Sequence, residues 1–236
     1  WGMGQTLLRE EPLFRQVAEE CDALFKKLGG WSIIEEMLRS EADSRITQTQ
    51  FAQPGNFVLQ VGLAALLRSW GLVPAAIVGH SLGEVSASYL SGVLSLEDAV
   101  HVSYHRSRLQ QRAVGTGRML SVGLVPEECE KMLADCRDKV AIAAINSPVS
   151  TNLAGDADVL AIIAEKLKEQ GKFNRFLRVD IPFHSPAMDP LKPELYNSLL
   201  HLQPRVPTTP LYSTVTAKEI RGADMDAKYW VATLRE

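Results

Sequence analysis

No stretch of this 236-residue chain is an apolar run of the kind, about 18 residues long, that a membrane-crossing helix needs, so no membrane partner is expected. The opening residues Trp1-Gly2-Met3-Gly4-Gln5 lack the charged-then-apolar order of a secretory leader, and a cytoplasmic setting is expected. Positive charge is not in excess. With 25 Lys and Arg against 28 Asp and Glu, the net charge of −3 supplies no basic field for nucleic acid. Cysteine is scarce: Cys21, Cys129 and Cys136 have no paired spacing and no adjacent histidines, which argues against a disulfide framework or a zinc site and for buried thiols. No metal is expected. The chain also lacks an initiator methionine, and it stops soon after an aromatic pair, Tyr229-Trp230, that looks like part of a packed element. It therefore reads as an incomplete piece of a longer multidomain polypeptide.

What is present is the composition of an ordinary globular protein, 46% hydrophobic and 22% charged, with enough chain for one large domain carrying an inserted lobe. Its organising feature is Val78-Gly79-His80-Ser81-Leu82-Gly83-Glu84. Gly-x-Ser-x-Gly is the spacing of a nucleophile elbow, a sharp strand-to-helix turn that lifts a serine Oγ out of the backbone. The flanks agree with it. Ala75-Ala76-Ile77-Val78 is an apolar run of buried-strand length, and residues 84–89 contain no helix breaker. Ser81 is the candidate nucleophile.

Along the chain, residues 11–28 carry Leu13, Val17, Cys21, Leu24 and Leu28 at helical spacing, stopped by Gly29-Gly30. Residues 31–39 predict a second, short helix. In residues 53–70 apolar side chains cover nearly the whole circumference, which predicts a helix buried on most sides. Gln53 and Gln60 are amides in that helix that need partners, and Gln53 is a candidate for a place near the active site. Ser95-x-x-Asp98 resembles a capping box for a helix running to about Arg112 and carrying Arg106 and Arg108. Residues 117–181 then read strand, helix, strand, strand, helix, strand, the last strand being the alternating Leu177, Val179 and Ile181. That order is ferredoxin-like. The fold class is therefore α/β: residues 1–116 and 182–236 form a large α/β-hydrolase-like subdomain, and 117–181 form an inserted ferredoxin-like βαββαβ subdomain. Ser185-Pro186 opens a further helix through Leu199, and residues 211–215 predict a final strand.

A serine hydroxyl needs a base, and histidine is the usual one. His80 adjoins Ser81, where neighbouring side chains point apart, and reads as structural support. His101, His105 and His201 fall in helical runs and can simply face solvent. His184 follows a predicted strand and precedes a helix start, a position where active-site residues gather. Either Asp180, four residues earlier, or a backbone carbonyl could orient its ring.

Taken together, Gln53-Pro54, Gly79-His80-Ser81-Leu82-Gly83-Glu84, His105-Arg106-Ser107-Arg108, Asn146-Ser147-Pro148 and Phe183-His184-Ser185-Pro186-x-Met188 resemble the malonyl-CoA:acyl-carrier-protein transacylase family. The likeness is greatest to the acyltransferase domains of modular polyketide synthases. It implies Ser81 as the acyl-bearing nucleophile, His184 as general base, the Leu82 amide as an oxyanion donor, and Arg106 as partner of the free carboxylate of the extender acyl group. Phe183, before the histidine, suits malonyl over methylmalonyl. The resemblance further implies no bound cofactor, malonyl-CoA and a carrier-protein phosphopantetheine thiol as substrates, and an acyl carrier protein and neighbouring domains such as ketosynthase as partners. The family's Gly-Gln-Gly loop, a second oxyanion donor, is expected just before Trp1, and a closing C-terminal stretch beyond Glu236. A serine esterase or thioesterase and a non-catalytic docking domain are the alternatives to this reading.

Overall fold

The computed structural model describes residues 1–235. The chain divides into two compact units, one of Trp1–Leu109 with Leu195–Trp230, the other of Gln110–Glu194 with the described residues from Val231 onward.

The first unit begins with four helices, α1 (Gln5–Glu10), α2 (Pro12–Gly29), α3 (Ile33–Leu38) and α4 (Thr49–Ser69). Pro12 sits in the first turn of α2, where its missing N–H costs nothing, and Gly30 ends the helix in the left-handed conformation, φ 70°. Packing in this region is aromatic. Phe25 stacks on Trp31 at 5.7 Å and meets Phe57 edge-on at 6.4 Å. Phe14, Phe25 and Phe57 are fully buried, each contributing roughly 1.5–3 kcal/mol of apolar transfer. The α2–α4 approach depends on Gly62, where a Cβ would lie 2.5 Å from the Phe14 ring.

Two expectations for α4 change. The helix starts at Thr49 and contains Pro54. It is also open on one side, because Leu63 and Leu67 are exposed, as is Trp70 at its C-terminal end. Apolar spacing reports which positions are hydrophobic, not which ones the fold covers. The elbow strand is likewise only β1 (Ile77–Val78), with Val78 exposed. Next come α5 (Gly83–Leu90) and α6 (Leu96–Gln111), and the Ser95 hydroxyl accepts from the Asp98 amide at 3.0 Å as the capping signature requires.

The second unit contains β2 (Arg118–Val122), α7 (Pro126–Met132), β3 (Val140–Ser147), β4 (Ser150–Gly155), α8 (Ala157–Glu169) and β5 (Asn174–Phe176). The strands form one antiparallel sheet in the order β3-β4-β2-β5, the ferredoxin-like arrangement. Asp156 caps α8 by accepting from the amides of Asp158 and Val159. Side chains alternate across the sheet: Leu120, Val122, Val140 and Leu153 pack with Cys129 and Leu133 from the α7 region and Leu160, Ile163 and Leu167 of α8. Met119, Ala143 and Ala154 form a second, separate cluster. The final strand lies earlier than expected. Leu177 and Val179 do pack, against that second cluster, but the paired strand is residues 174–176. The alternation at 177–181 marks burial without a ladder.

After β5 an irregular stretch leads to a 3-10 turn, Pro186–Leu191, and to α9 (Lys192–Ser198), in place of the continuous helix expected there. The chain then returns to the first unit with β6 (Leu211–Tyr212), β7 (Glu219–Ile220) and α10 (Ala227–Ala232). β6 pairs in parallel with β1, Ile77 opposite Leu211 and Val78 opposite Tyr212, and β7 pairs antiparallel with β6. The strand expected at 211–215 thus ends at Tyr212 and is followed by another.

Candidate active site

The turn between β1 and α5 is tight enough to dictate its residues. A Cβ on Gly79 would lie 2.1 Å from the Gly83 carbonyl oxygen and 2.5 Å from the Glu84 nitrogen, so only glycine fits. Ser81 has φ 53°, the left-handed region that a side-chain-bearing residue enters only at a cost of about 1–2 kcal/mol. The turn is closed by backbone bonds from Gly83 to His80 and from Glu84 to Ser81, at 2.9 and 3.0 Å. Leu82 stands at the N-terminus of α5, where amides have no carbonyl inside the helix to bond. Its N–H is therefore suited to an oxyanion. His80 is exposed and joins the turn through its carbonyl.

Arg106, in the middle of α6, is 2% exposed. Its Nη2 donates to Ser81 Oγ at 3.0 Å and its Nη1 to Gln53 Oε1 at 2.7 Å. Gln53, on α4, is itself buried. Gln53 on α4, Arg106 on α6 and Ser81 in the elbow turn, far apart in the chain, are thus linked through the two arms of one guanidinium. Burial pulls the Arg106 guanidinium down to about 10, against the attraction of Glu84, and it stays a cation at neutral pH. A desolvated cation beside a nucleophile is a receptor for an anionic group.

Glu84 received no role from the sequence beyond its place in the motif, yet it is 2% exposed and fully engaged. Its Oε1 accepts from the Thr214 amide at 2.6 Å and from Thr214 Oγ1 at 2.8 Å, and its Oε2 accepts from the Tyr229 hydroxyl at 2.6 Å. The partners lie 130 and 145 residues away, and no local pattern signals the pairing. Loss of solvation and the adjacent carboxylate push the Tyr229 hydroxyl well above the usual tyrosine range.

His184 and Phe183 belong to the second unit. His184 is buried and has φ 59°, so it too is a side-chain-bearing residue in the left-handed region. Ser185, next to it, donates from Oγ to the Pro182 carbonyl at 2.6 Å and accepts from the Ala187 amide at 3.3 Å. Phe183 packs against Met119, Ala143 and Ala154 of the sheet. Asp180 is exposed and lies outside any strand, so strand alternation does not set its side chain relative to His184. Its backbone carbonyl accepts from the Gly115 amide at 2.7 Å. Among the remaining histidines, His201 is exposed as expected while His101 and His105 are half-buried, with the His101 ring 4.6 Å from His201 and 5.9 Å from His105. Cys21 is fully buried, its thiol pushed up to about 12 by burial, and all three cysteines are free. Among the described residues no group of three or more His, Cys, Asp or Glu could hold a metal ion.

A serine on a strained elbow beside a buried guanidinium, in a chain that also carries a ferredoxin-like unit, points to an acyl-transferring class. Comparison with known proteins narrows it. The family model of the acyl transferase domain matches residues 1–236, and the chain belongs to that family. It is 38% identical over 234 residues to the mycocerosic acid synthase-like polyketide synthase of Mycolicibacterium smegmatis, covering 99% of this chain and 11% of that protein. The acyltransferase domain from module 8 of the salinomycin polyketide synthase superposes with a TM-score of 0.95 at 31% identity, over 100% of this chain and 56% of that one. The malonyl-CoA:ACP transacylase of Synechocystis sp. PCC 6803 gives a TM-score of 0.84 at 26% identity, over 99% of this chain and 76% of the other. The chain spans only a small part of its curated relatives, 6% of the hybrid PKS-NRPS synthetase pynA of Aspergillus niger, for example.

Proposed function

We propose that this domain moves a malonyl-type extender unit from CoA, through an ester on Ser81, to the phosphopantetheine thiol of an acyl carrier protein in polyketide or fatty-acid synthesis. The observation that carries this reading is the buried Arg106 guanidinium 3.0 Å from Ser81 Oγ. A cation held out of water at a nucleophile contributes nothing to an ester with a neutral acyl chain, but it pairs with an acyl group that ends in a carboxylate. Each charge-assisted hydrogen bond in such a pair is worth about 1.5–3 kcal/mol. Gln53 accepts from one arm of the guanidinium while the other arm points to Ser81, where the acyl group would sit.

In the first half-reaction Ser81 Oγ attacks the thioester carbonyl carbon and His184 accepts the hydroxyl proton. The Leu82 amide takes a share of the oxyanion charge. The C–S bond then breaks, and CoA leaves as a thiol with the proton from His184. In the second half-reaction the pantetheine thiol gives its proton to His184 and attacks the acyl-serine ester. Ser81 leaves with the proton restored, so the cycle is balanced with no cofactor. Phe183, seated on Met119, Ala143 and Ala154, occupies the room an α-branch would need and favours malonyl over methylmalonyl by about 1–3 kcal/mol. The partners that follow are a carrier protein and the adjoining synthase domains, ketosynthase among them. No helix among the described residues is long and apolar enough to cross a membrane.

Incubation with radiolabelled malonyl-CoA and a phosphopantetheinylated carrier protein tests the reading. Label moving to the carrier supports it. Label released as free malonate, with none on the carrier, would identify a hydrolase instead.

A further inference from the structure

The conformation of Ser81 poses a physical question that the local sequence does not answer. A serine at φ 53° sits in a sparsely populated region, and such a residue persists only where the surroundings over-determine it. Both ends of the turn are tied to the same short stretch of chain. On the strand side, Val78 pairs with Tyr212 in the parallel β1–β6 ladder. On the helix side, the Glu84 carboxylate accepts both donors of Thr214, two residues further along. Thr214 Oγ1 also lies 3.2 Å from the Gly79 carbonyl, but its single proton favours the shorter contact to Glu84 at 2.8 Å. Tyr229 closes the arrangement from α10. Its hydroxyl donates to Glu84 at 2.6 Å and is paired with Ser213 Oγ at 2.7 Å, and that oxygen accepts from the amides of Val215 and Thr216 at 3.1 and 3.0 Å.

We propose that Glu84 is a positioning residue for the acyl transfer: its carboxylate, gripped by Thr214 and Tyr229, clamps the helix end of the elbow to the segment that follows β6 and to α10. The clamp holds Ser81 Oγ and the Leu82 amide in their attacking geometry. The ionised carboxylate is acceptor-only, and its three short bonds match three donors with no proton left over. Removing it frees the helix end of a turn whose middle residue is strained, and the strain relaxes by moving the serine. Glutamine can still accept from both Thr214 donors. Its amide nitrogen, however, meets the Tyr229 hydroxyl as a second donor, so that hydroxyl must turn its proton to Ser213 and become an acceptor.

The inference rests on Ser81 being the nucleophile, and its test separates the two claims. The rate of Ser81 labelling by a fluorophosphonate reads elbow geometry without any acyl-CoA, and acylation by malonyl-CoA is followed in parallel. Glu84→Ala is expected to lower both rates about 100-fold, with the KM for malonyl-CoA changed less than about twofold. Tyr229→Phe, which keeps the ring, should lower them about 10-fold, and Glu84→Gln should recover at least about half of the logarithmic loss seen in alanine. Thermal unfolding run alongside supplies the folded fraction for normalisation. If Glu84→Ala does not fold, the glutamine and phenylalanine variants decide the matter. Variants with lowered melting temperature but wild-type rates per folded molecule would overturn the proposal and leave Glu84 a stabilising residue only. A wild-type protein labelled by fluorophosphonate but not by malonyl-CoA would instead count against the proposed substrate and leave the positioning role intact.

Discussion

Two turns in this molecule hold a non-glycine residue in the left-handed region beside a reactive side chain, and they are supported in opposite ways. Ser81, at φ 53°, is braced by partners more than a hundred residues distant, through Glu84 to Thr214 and Tyr229. His184, at φ 59°, is braced by its neighbours, with Ser185 Oγ bonded to the Pro182 carbonyl and the Ser185 carbonyl accepting from the Met188 amide at 3.0 Å. A nucleophile whose oxygen must be placed to a fraction of an ångström gains from anchors on several elements. The loop at His184 carries a cap of its own, within a few residues of the histidine. The elbow should therefore be brittle and the histidine loop tolerant.

The greatest effect is expected at the elbow itself. Gly79→Ala places a methyl group 2.1 Å from a backbone oxygen that cannot swing away. It should cost about 3 kcal/mol or more of stability in urea unfolding, or yield no soluble protein. The corresponding cut in the other turn is Ser185→Ala, which removes one cap and one short bond to Pro182. It should cost about 1 kcal/mol and slow acylation only modestly. Equal losses from the two substitutions would erase the contrast.

Between these extremes lies the clamp on substrate. Arg106→Ala should lower malonyl loading about 100-fold more than acetyl loading, because only malonyl offers a carboxylate to the guanidinium. Equal losses for the two acyl groups, measured as kcat/KM, would mean that Arg106 acts on Ser81 alone. The smallest effect concerns His101. Burial first, and then His201, hold its imidazole below the usual histidine range, outweighing the nearby Glu97 and Asp98. The unfolded chain therefore binds the extra proton more readily, and stability is lost as pH falls through about 6.5. His101→Gln should flatten that part of the profile of melting temperature against pH. An unchanged profile would mean that other groups set the acid limit.

The same contrast governs how much could be read from the chain. Support that is local in sequence was legible: the elbow glycines, the Ser95 and Asp156 caps, and Ser185-Pro186 after His184 all act within a few residues of where they stand. Arg106 and Gln53 gained meaning from the family resemblance, and Arg106 donates both to Gln53 and to Ser81. Support that is distant left no trace. Glu84 is part of the elbow motif, but nothing near Thr214 or Tyr229 marks them as its donors, because a hydrogen bond between remote segments imposes no periodicity. Periodicity failed in another way at Leu177, Val179 and Ile181. It identified residues that are buried or half-buried and placed the ladder there, whereas the backbone pairs three residues earlier. On α4 it registered the apolar Leu63 and Leu67, and at its C-terminal end Trp70, which the described structure leaves exposed.

The most direct test of the account is the mass of the intact protein after brief exposure to malonyl-CoA, compared with Ser81→Ala and Arg106→Ala under the same conditions. The account predicts one malonyl group on the unaltered protein, none on Ser81→Ala, and little on Arg106→Ala under conditions in which acetyl-CoA still loads it. An unmodified Ser81 after exposure to malonyl-CoA, or an adduct that survives Ser81→Ala, would contradict it.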